Sequence, residues 1–357
     1  MPLKILFFAF HFYAERLNNT TSTPLKPFQA IARRAGLDGF LMALIFSIVL
    51  AYLWPYPGTS ASPFALAKVA NYGVSFIFFF YGLKLNLANL RTGLSNTRLH
   101  VVIHVATFLL FPALIWVIKP LFQTNESQLL WLGIFFLAAL PSTVSSSVVM
   151  VSMAKGNLPA AIFNASISSL MGVFITPLWI GVVMHSSGSD FDLSAVILKL
   201  IIQVVVPVVL GMLLHNRFGL LADNYRIQLR YFDQGIIILI VYTTFCESFA
   251  NRLFSELSWL DLSYLSIGMI SLFCLVYMLI SLICKALNFN REDSITALFC
   301  GSKKSLVQGA VMSKVLFAGM VGGGILLLPI MLYHAFQLIM VSAIAQRKSQ
   351  AVPDLRN

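Results

Sequence analysis

The chain alternates long apolar runs with short polar stretches. Ten apolar runs occur near residues 39–54, 64–83, 99–118, 129–153, 160–184, 194–214, 232–249, 262–286, 294–318 and 322–345. Most approach the roughly 20 residues that an α-helix needs to cross a hydrocarbon core. The pattern therefore predicts an all-α membrane protein with ten transmembrane helices. Two runs carry polar residues in their interior. Span 4 is interrupted at Leu140-Pro141-Ser142-Thr143-Val144-Ser145-Ser146-Ser147, and span 9 at Cys300-Gly301-Ser302-Lys303-Lys304-Ser305-Leu306-Val307-Gln308-Gly309. Backbone that leaves a helix at membrane depth must be buried in protein or line a watery cavity. Two such breaks, each in the fourth span of its half, are the mark of a secondary transporter built from repeats.

Charge sets the orientation. The 357 residues are 59% hydrophobic and only 10% charged, which excludes a sizeable soluble domain. The formal charge of +11 is spread between apolar runs instead of gathered on one face, so nucleic acid is not an expected partner. Alternate connections hold Arg33 and Arg34; Lys84, Arg91 and Arg98; Lys155; Arg217, Arg226 and Arg230; Lys285 and Arg291; Arg347, Lys348 and Arg356. The opposite connections hold chiefly Lys119 and Arg252, with Glu126, Asp190, Asp192, Glu247, Glu256 and Asp261. The positive-inside rule then places both termini in the cytoplasm. Span 1 runs outward and span 6 inward, so the halves form a five-plus-five inverted repeat.

Residues 1–38 read as a cytoplasmic N-terminal extension, since the apolar stretch 5–14 is too short to span. Residues 39–345 form a single transporter unit, and 346–357 a cytoplasmic tail. Cys246, Cys274, Cys284 and Cys300 form no CxxC pair and support neither a disulfide framework nor a zinc site. His100 and His104 stand four apart without a third ligand. Asp233 is expected to pair with Arg230 or Arg226, and Glu247 to be solvated. Asn71, Gln203 and Gln337 are expected chiefly to pack or to hydrogen-bond between helices.

Over about residues 37–345 the chain resembles the bile acid:sodium symporter family. The likeness rests on Leu140 to Val148, on Ala154-Lys155-Gly156-Asn157, Thr176-Pro177, Gln203 to Pro207 and Gly211, and on Cys300 to Leu306. The Cys-Gly-Ser-basic-Lys-Ser/Thr-Leu motif points to a divergent branch of bacterial proteins and a vertebrate relative. The resemblance implies a panel domain of spans 1, 2, 6 and 7 and a core domain of spans 3–5 and 8–10. It also implies that broken helices 4 and 9 cross near mid-membrane, where better-known members hold two sodium ions and an organic anion. This sequence has Phe299 or Cys300 where those members carry an acidic sodium ligand, and Lys303-Lys304 where they carry Gln-Asn. It has Ser146-Ser147 for their Ser-Asn pair and Thr107 for a span 3 glutamine. Asn164 and Ser168 keep similar oxygens, so a sodium ion would have Ser146, Ser147, Asn164 and Ser168 to draw on.

The candidate site is therefore Pro141, Ser142, Thr143, Ser145, Ser146, Ser147, Asn164, Ser168, Cys300, Ser302, Lys303, Lys304, Ser305 and Gln308. A lysine at the bilayer centre costs about 2.5–3.5 kcal/mol on insertion scales and needs a partner or an aqueous cavity. Either one lysine replaces the cation, lying against carbonyls at a half-helix C-terminus, or one carries a coupling proton. The half-helix N-termini would face an anionic substrate. The leading reading is a secondary active transporter, a symporter of a small organic anion. It would lie in the cell membrane, the inner membrane in a bacterium, and be coupled to sodium or protons with no other cofactor. The chain is not expected to be an enzyme. The alternatives are a non-transporting regulator with a transporter fold and an intramembrane hydrolase using a Ser-Lys pair.

Overall fold

A computed structural model describes residues 39–84, 96–186, 198, 201–252, 258–317, 320 and 322–350. The N-terminal extension, Arg91, Asp190, Asp192, Glu256 and the end of the tail lie outside the described residues. All regular structure among the described residues is helical. The helices are α1 (Gly39–Leu53), α2 (Leu66–Lys84), α3 (Thr97–Leu121), α4 (Asn125–Ala139), α5 (Ser145–Met153) and α6 (Leu158–Ser186). They continue with α7 (Ile201–Asn224), α8 (Arg226–Ala250), α9 (Trp259–Ala286), α10 (Arg291–Gly301), α11 (Leu306–Leu316) and α12 (Gly323–Gln350). Seven of these, α2, α3, α6, α7, α8, α9 and α12, are long and apolar enough to cross a membrane. The chain is a multi-pass membrane protein. The α4/α5 and α10/α11 pairs stand where the sequence breaks were expected.

The helices pack in two groups. In the first, α7 packs on α2, and α8 packs on α1 and α2. The α2–α7 approach is backbone to backbone. A Cβ at Gly82 would overlap the carbonyl oxygen of Val208, and one at Gly211 that of Phe79. Small residues allow membrane helices this proximity, where dispersion and packing drive association. The second group contains α3–α6 and α9–α12. The groups meet along α8, which touches α11 and α12. The Gly324 N–H donates to Ser248 Oγ at 3.0 Å, and a Cβ at Gly323 would lie 2.9 Å from Thr244 Cγ2. Tyr81 of α2 also donates to the Ser166 carbonyl of α6 at 2.9 Å.

Three helix starts in the second group are tied to one carboxylate. Asp293, buried in the first turn of α10, accepts from Asn96 Nδ2 at 2.7 Å and Asn157 Nδ2 at 2.8 Å. Those asparagines cap α3 and α6 through Leu99 N and Ala160 N, and Asn290 caps α10 through Asp293 N. Each cap satisfies an N–H that a helix start leaves orphaned.

Two side-chain expectations and one connection are corrected. Asp233 pairs with Lys84 of α2 at 3.3 Å, not with Arg226 or Arg230. Those arginines extend α8 beyond the apolar run, and no open loop separates α7 from α8, only the turn at Tyr225. Glu247 is half-buried and accepts from Ser60 N at 3.1 Å and Ser60 Oγ at 3.0 Å.

Candidate functional site

The two breaks touch through backbone. The Ser305 N–H donates to the Pro141 carbonyl at 2.9 Å. Pro141 has no N–H to return to the preceding turn, which ends α4. The four carbonyls of residues 138–141 then all find partners outside the α-helical ladder. Ala138 and Leu140 accept from Lys304 Nζ at 2.6 and 2.8 Å. Ala139 accepts from Thr176 Oγ1 at 2.7 Å, and Pro141 from Ser305. The Ser142 N–H donates to Ser168 Oγ at 3.0 Å. Buried backbone polar groups have to be paired somewhere, and here pairing recruits α6, α10 and α11 around one point.

A third carbonyl completes the Lys304 cage. Within α3 the turn Ala106–Leu110 widens to a π-helix, so Phe111 N–H bonds Ala106 O. The next residue is Pro112, which has no N–H to give. Two carbonyls of α3 are thereby released. Phe108 O accepts from Trp179 Nε1 at 2.9 Å, and Thr107 O accepts from Lys304 Nζ at 2.7 Å. The Thr107 hydroxyl is turned back to Ile103 O at 2.8 Å, so the residue contributes its backbone. The three hydrogens of an ammonium thus meet three carbonyl oxygens. Phe111 presents its ring face 4.1 Å from the same nitrogen, a further cation–π attraction. Lys304 is 1% exposed.

Lys303 is fully buried but has a sparser setting. Its Nζ donates to Ser146 Oγ at 2.6 Å. Ser146 donates in turn to Thr143 Oγ1 at 3.0 Å, which shares a 3.0 Å bond with Ser147 Oγ. Ser147 also donates to Phe299 O at 3.3 Å, tying α5 to the end of α10. Buried Cys300 lies beside Lys303 on that side. Ser145 opens α5, and its side chain lies outside the described residues.

The backbone at the second break is held by α12. Gln337 clamps Lys304 with Oε1 accepting from its N–H and Nε2 donating to its carbonyl, both at 2.8 Å. That pairing fixes the amide orientation. Nε2 also faces His334 Nδ1 at 2.9 Å; an amide nitrogen only donates, so Nδ1 accepts. Tyr333 donates to Ser302 O at 2.7 Å. Ser302 Oγ turns back to Leu298 O at 2.6 Å, and Ser305 caps α11 through Gln308 N at 3.3 Å. Gln308 Nε2 donates to Ser169 O at 3.3 Å. Two buried polar atoms beside this crossing, Ser142 Oγ and Gln308 Oε1, have no hydrogen-bond partner among the described residues. Unpaired buried groups in a native fold call for an explanation, a binding role among them.

The sequence-expected residues therefore gather at one crossing, with differences of detail. Asn164 serves as a tie between helices, touching His100 Nδ1 at 3.1 Å and donating to Ala160 O at 2.7 Å. The oxygens of Ser146, Ser147, Asn164 and Ser168 each have another partner. His100 and His104 join no group of three metal-binding side chains among the described residues. The residues that sequence reasoning passed over are Phe111, Tyr333, His334 and the Thr107 carbonyl, together with the clamping role of Gln337.

Comparison with known proteins identifies relatives over almost the whole described chain. A Pseudomonas aeruginosa protein of no assigned function is 39% identical over 317 residues, covering 89% of this chain and 94% of its own. Escherichia coli YfeH, named as a candidate symporter, is 34% identical over 320 residues, covering 90% and 95%. The mouse sodium/bile acid cotransporter 7 is 30% identical over 324 residues, covering 88% and 93%. The model of the SBF-like CPA transporter family matches residues 38–350, and the chain belongs to that family.

Proposed function

We propose that this chain is a secondary active transporter that moves a small organic anion by alternating access around the crossing of α4/α5 with α10/α11. Taken with α1, the two broken pairs bring the seven long helices to ten spans, in a five-plus-five inverted repeat with both termini cytoplasmic. The group α1, α2, α7 and α8 acts as the panel, and α3–α6 with α9–α12 as the core that rocks against it. The names of two relatives, a candidate symporter and a sodium/bile acid cotransporter, support transport of a small solute. Sodium and bile acid are what the second relative is named for. Here the Lys304 ammonium occupies the carbonyl cage, so the reading is sodium-independent.

The carrying observation is Lys303, a buried ammonium at the crossing with one hydroxyl partner and no carboxylate paired to it among the described residues. Burying a charge is costly without compensation. Nearby the α5 and α11 N-termini present positive dipole ends, which favour an anion. Ser142 Oγ, a hydroxyl at the crossing with no partner among the described residues, can donate to that anion. A carboxylate on Lys303 would complete the charge balance, and loss of that contact would let the core move empty. For proton coupling, Lys303 takes up a proton with the anion from one side of the membrane and releases it to water on the other.

The test is a thermal-stability titration of purified protein with pyruvate, glutarate and cholate, followed by counterflow in proteoliposomes with the anion that binds. At least one anion is expected to stabilise the protein in choline as well as in sodium, and Lys303→Gln to abolish that effect. Anion stabilisation that survives Lys303→Gln, or that needs sodium, refutes the assignment. The 2.6 Å contact of Lys303 with Ser146 also fits a Ser-Lys hydrolase. In that contact the lysine is the donor and the serine proton points to Thr143, the reverse of a base activating a nucleophile. A fluorophosphonate that labels Ser146 would restore the hydrolase.

A further inference from the structure

At the far end of α3, away from the crossing, an apolar groove of about 710 Å³ runs between α3 and α4 on one side and α9 on the other. Leu114, Ile118, Leu130, Ile134, Tyr264 and Leu275 are among its walls. The inner face of α9 packs into the core through Phe273, Val276 and Ile280, while Gly268 stands on the groove with nothing within 4 Å of an added Cβ. The groove shares Val117 and Phe122 with a second, more open hollow of about 670 Å³ whose lining includes Lys119, Gln123 and Gln128. Lys119 opens the short helical turn Lys119–Leu121 that ends α3. Its ammonium lies 5.6 Å from the Trp116 ring and 5.0 Å from the Trp131 ring, and no carboxylate pairs with it among the described residues. Asp261, on the α9 rim, has its carboxylate engaged by Ser258 N and Oγ.

An apolar slot with a tryptophan-flanked cation at its mouth matches one amphiphile. Tryptophan and lysine are the side chains that mark the headgroup level of a bilayer. In a multi-pass membrane protein, what fills a lateral apolar slot is a lipid chain. We propose that this groove is a binding site for one membrane glycerophospholipid, its acyl chain between α3/α4 and α9 and its phosphate on Lys119. The site lies on the transporter core, against the helix that forms one wall of the Lys304 cage. Bound lipid braces α3 against α9, and each methylene it buries adds to that apolar contact.

The test uses delipidated full-length protein titrated with phosphatidylglycerol in dodecyl maltoside, read by native mass spectrometry and by the unfolding temperature. Wild type is expected to hold one phosphatidylglycerol and to unfold at a higher temperature with it. Gly268→Trp, which has space for its ring in the groove, is expected to remove that lipid without lowering the lipid-free unfolding temperature. Lys119→Gln is expected to weaken binding about fivefold, the effect of one basic residue at an anionic lipid surface. Lys68→Gln, an equal charge change at an exposed site on α2, is expected to leave binding unchanged. Lipid binding that neither Gly268→Trp nor Lys119→Gln alters overturns the proposal, as does an equal loss in Lys68→Gln. Stabilisation by glycerol phosphate equal to that by phosphatidylglycerol would make the site one for a free anion and also overturn it.

Discussion

Substitution of Lys304 by alanine separates a caged cation from a merely buried lysine. The variant leaves the carbonyls of Thr107, Ala138 and Leu140 without the donor that now serves them. An orphaned buried acceptor costs about 1–3 kcal/mol, so three give roughly 3–9 kcal/mol. Loss of the Phe111 contact at 4.1 Å adds about 2 kcal/mol for a desolvated cation–π pair. Against this, alanine escapes the desolvation of a buried ion, several kcal/mol in proteins. The difference resembles removal of one partner from a buried ion pair, which costs about 3–5 kcal/mol. SDS titration in dodecyl maltoside micelles reads this loss directly. The vacated cage is lined by three carbonyls, ligands that suit a hard monovalent ion, so sodium is expected to return stability. Sodium at 100 times its dissociation constant restores about 2.7 kcal/mol. Choline, too large for the cage, is expected to restore none. Lys304→Met fills the space without charge and is expected to lose stability that sodium does not return. A loss below about 1 kcal/mol in both variants refutes the cage as an energetic centre. Equal stabilisation of wild type by sodium refutes the claim that Lys304 already occupies the cation position.

Three further predictions address the frame around the crossing. Asp293→Ala removes the carboxylate that holds Asn96 and Asn157 and is expected to cost about 2–4 kcal/mol, from two charge-assisted bonds and a helix-start charge; Asp293→Asn should cost less, measured by the same SDS titration. Gly82→Ala sets a methyl into the Val208 carbonyl and is expected to destabilise by about 1–3 kcal/mol or more, whereas Gly235→Ala, open on all sides, should be neutral or gain up to about 1 kcal/mol. Thr244→Cys with Gly323→Cys, in a Cys246→Ala background, is expected to form a disulfide on mild oxidation, because the two positions already touch across α8 and α12. The oxidised form should stop counterflow and reduction restore it; full flux in the cross-linked protein would mean the two groups do not separate during transport.

Much of this arrangement is legible in the chain, and what is not has a physical cause. The breaks are visible because Pro141 and the run Gly301-Ser302-Lys303-Lys304 oppose both the helix and the apolar pattern. Helix ends are less visible: α7 continues to Asn224 and α8 starts at Arg226, since hydropathy falls at the membrane edge while helical hydrogen bonding does not. Proximity in sequence points Asp233 to Arg226 and Arg230, but α8 turns it toward Lys84 of a neighbouring helix. The harder case is a side chain whose partner is backbone. Gln337 stands in α12 as one amide among apolar residues, and nothing in its neighbourhood names the Lys304 N–H and carbonyl as its target. Every residue has a carbonyl, so such partners carry no compositional signal. Proline is a partial exception, because it ends or loosens a helix and so marks the turn whose carbonyls need other partners. Pro112 and Pro141 each interrupt a helix that borders Lys304, and the carbonyls accepting from its Nζ belong to the turns just before them. The cage is thus written in the chain as two prolines and one lysine, 197 positions separating Thr107 from Lys304. What the sequence does not state is that α3, α4 and the second break converge, and packing supplies that step.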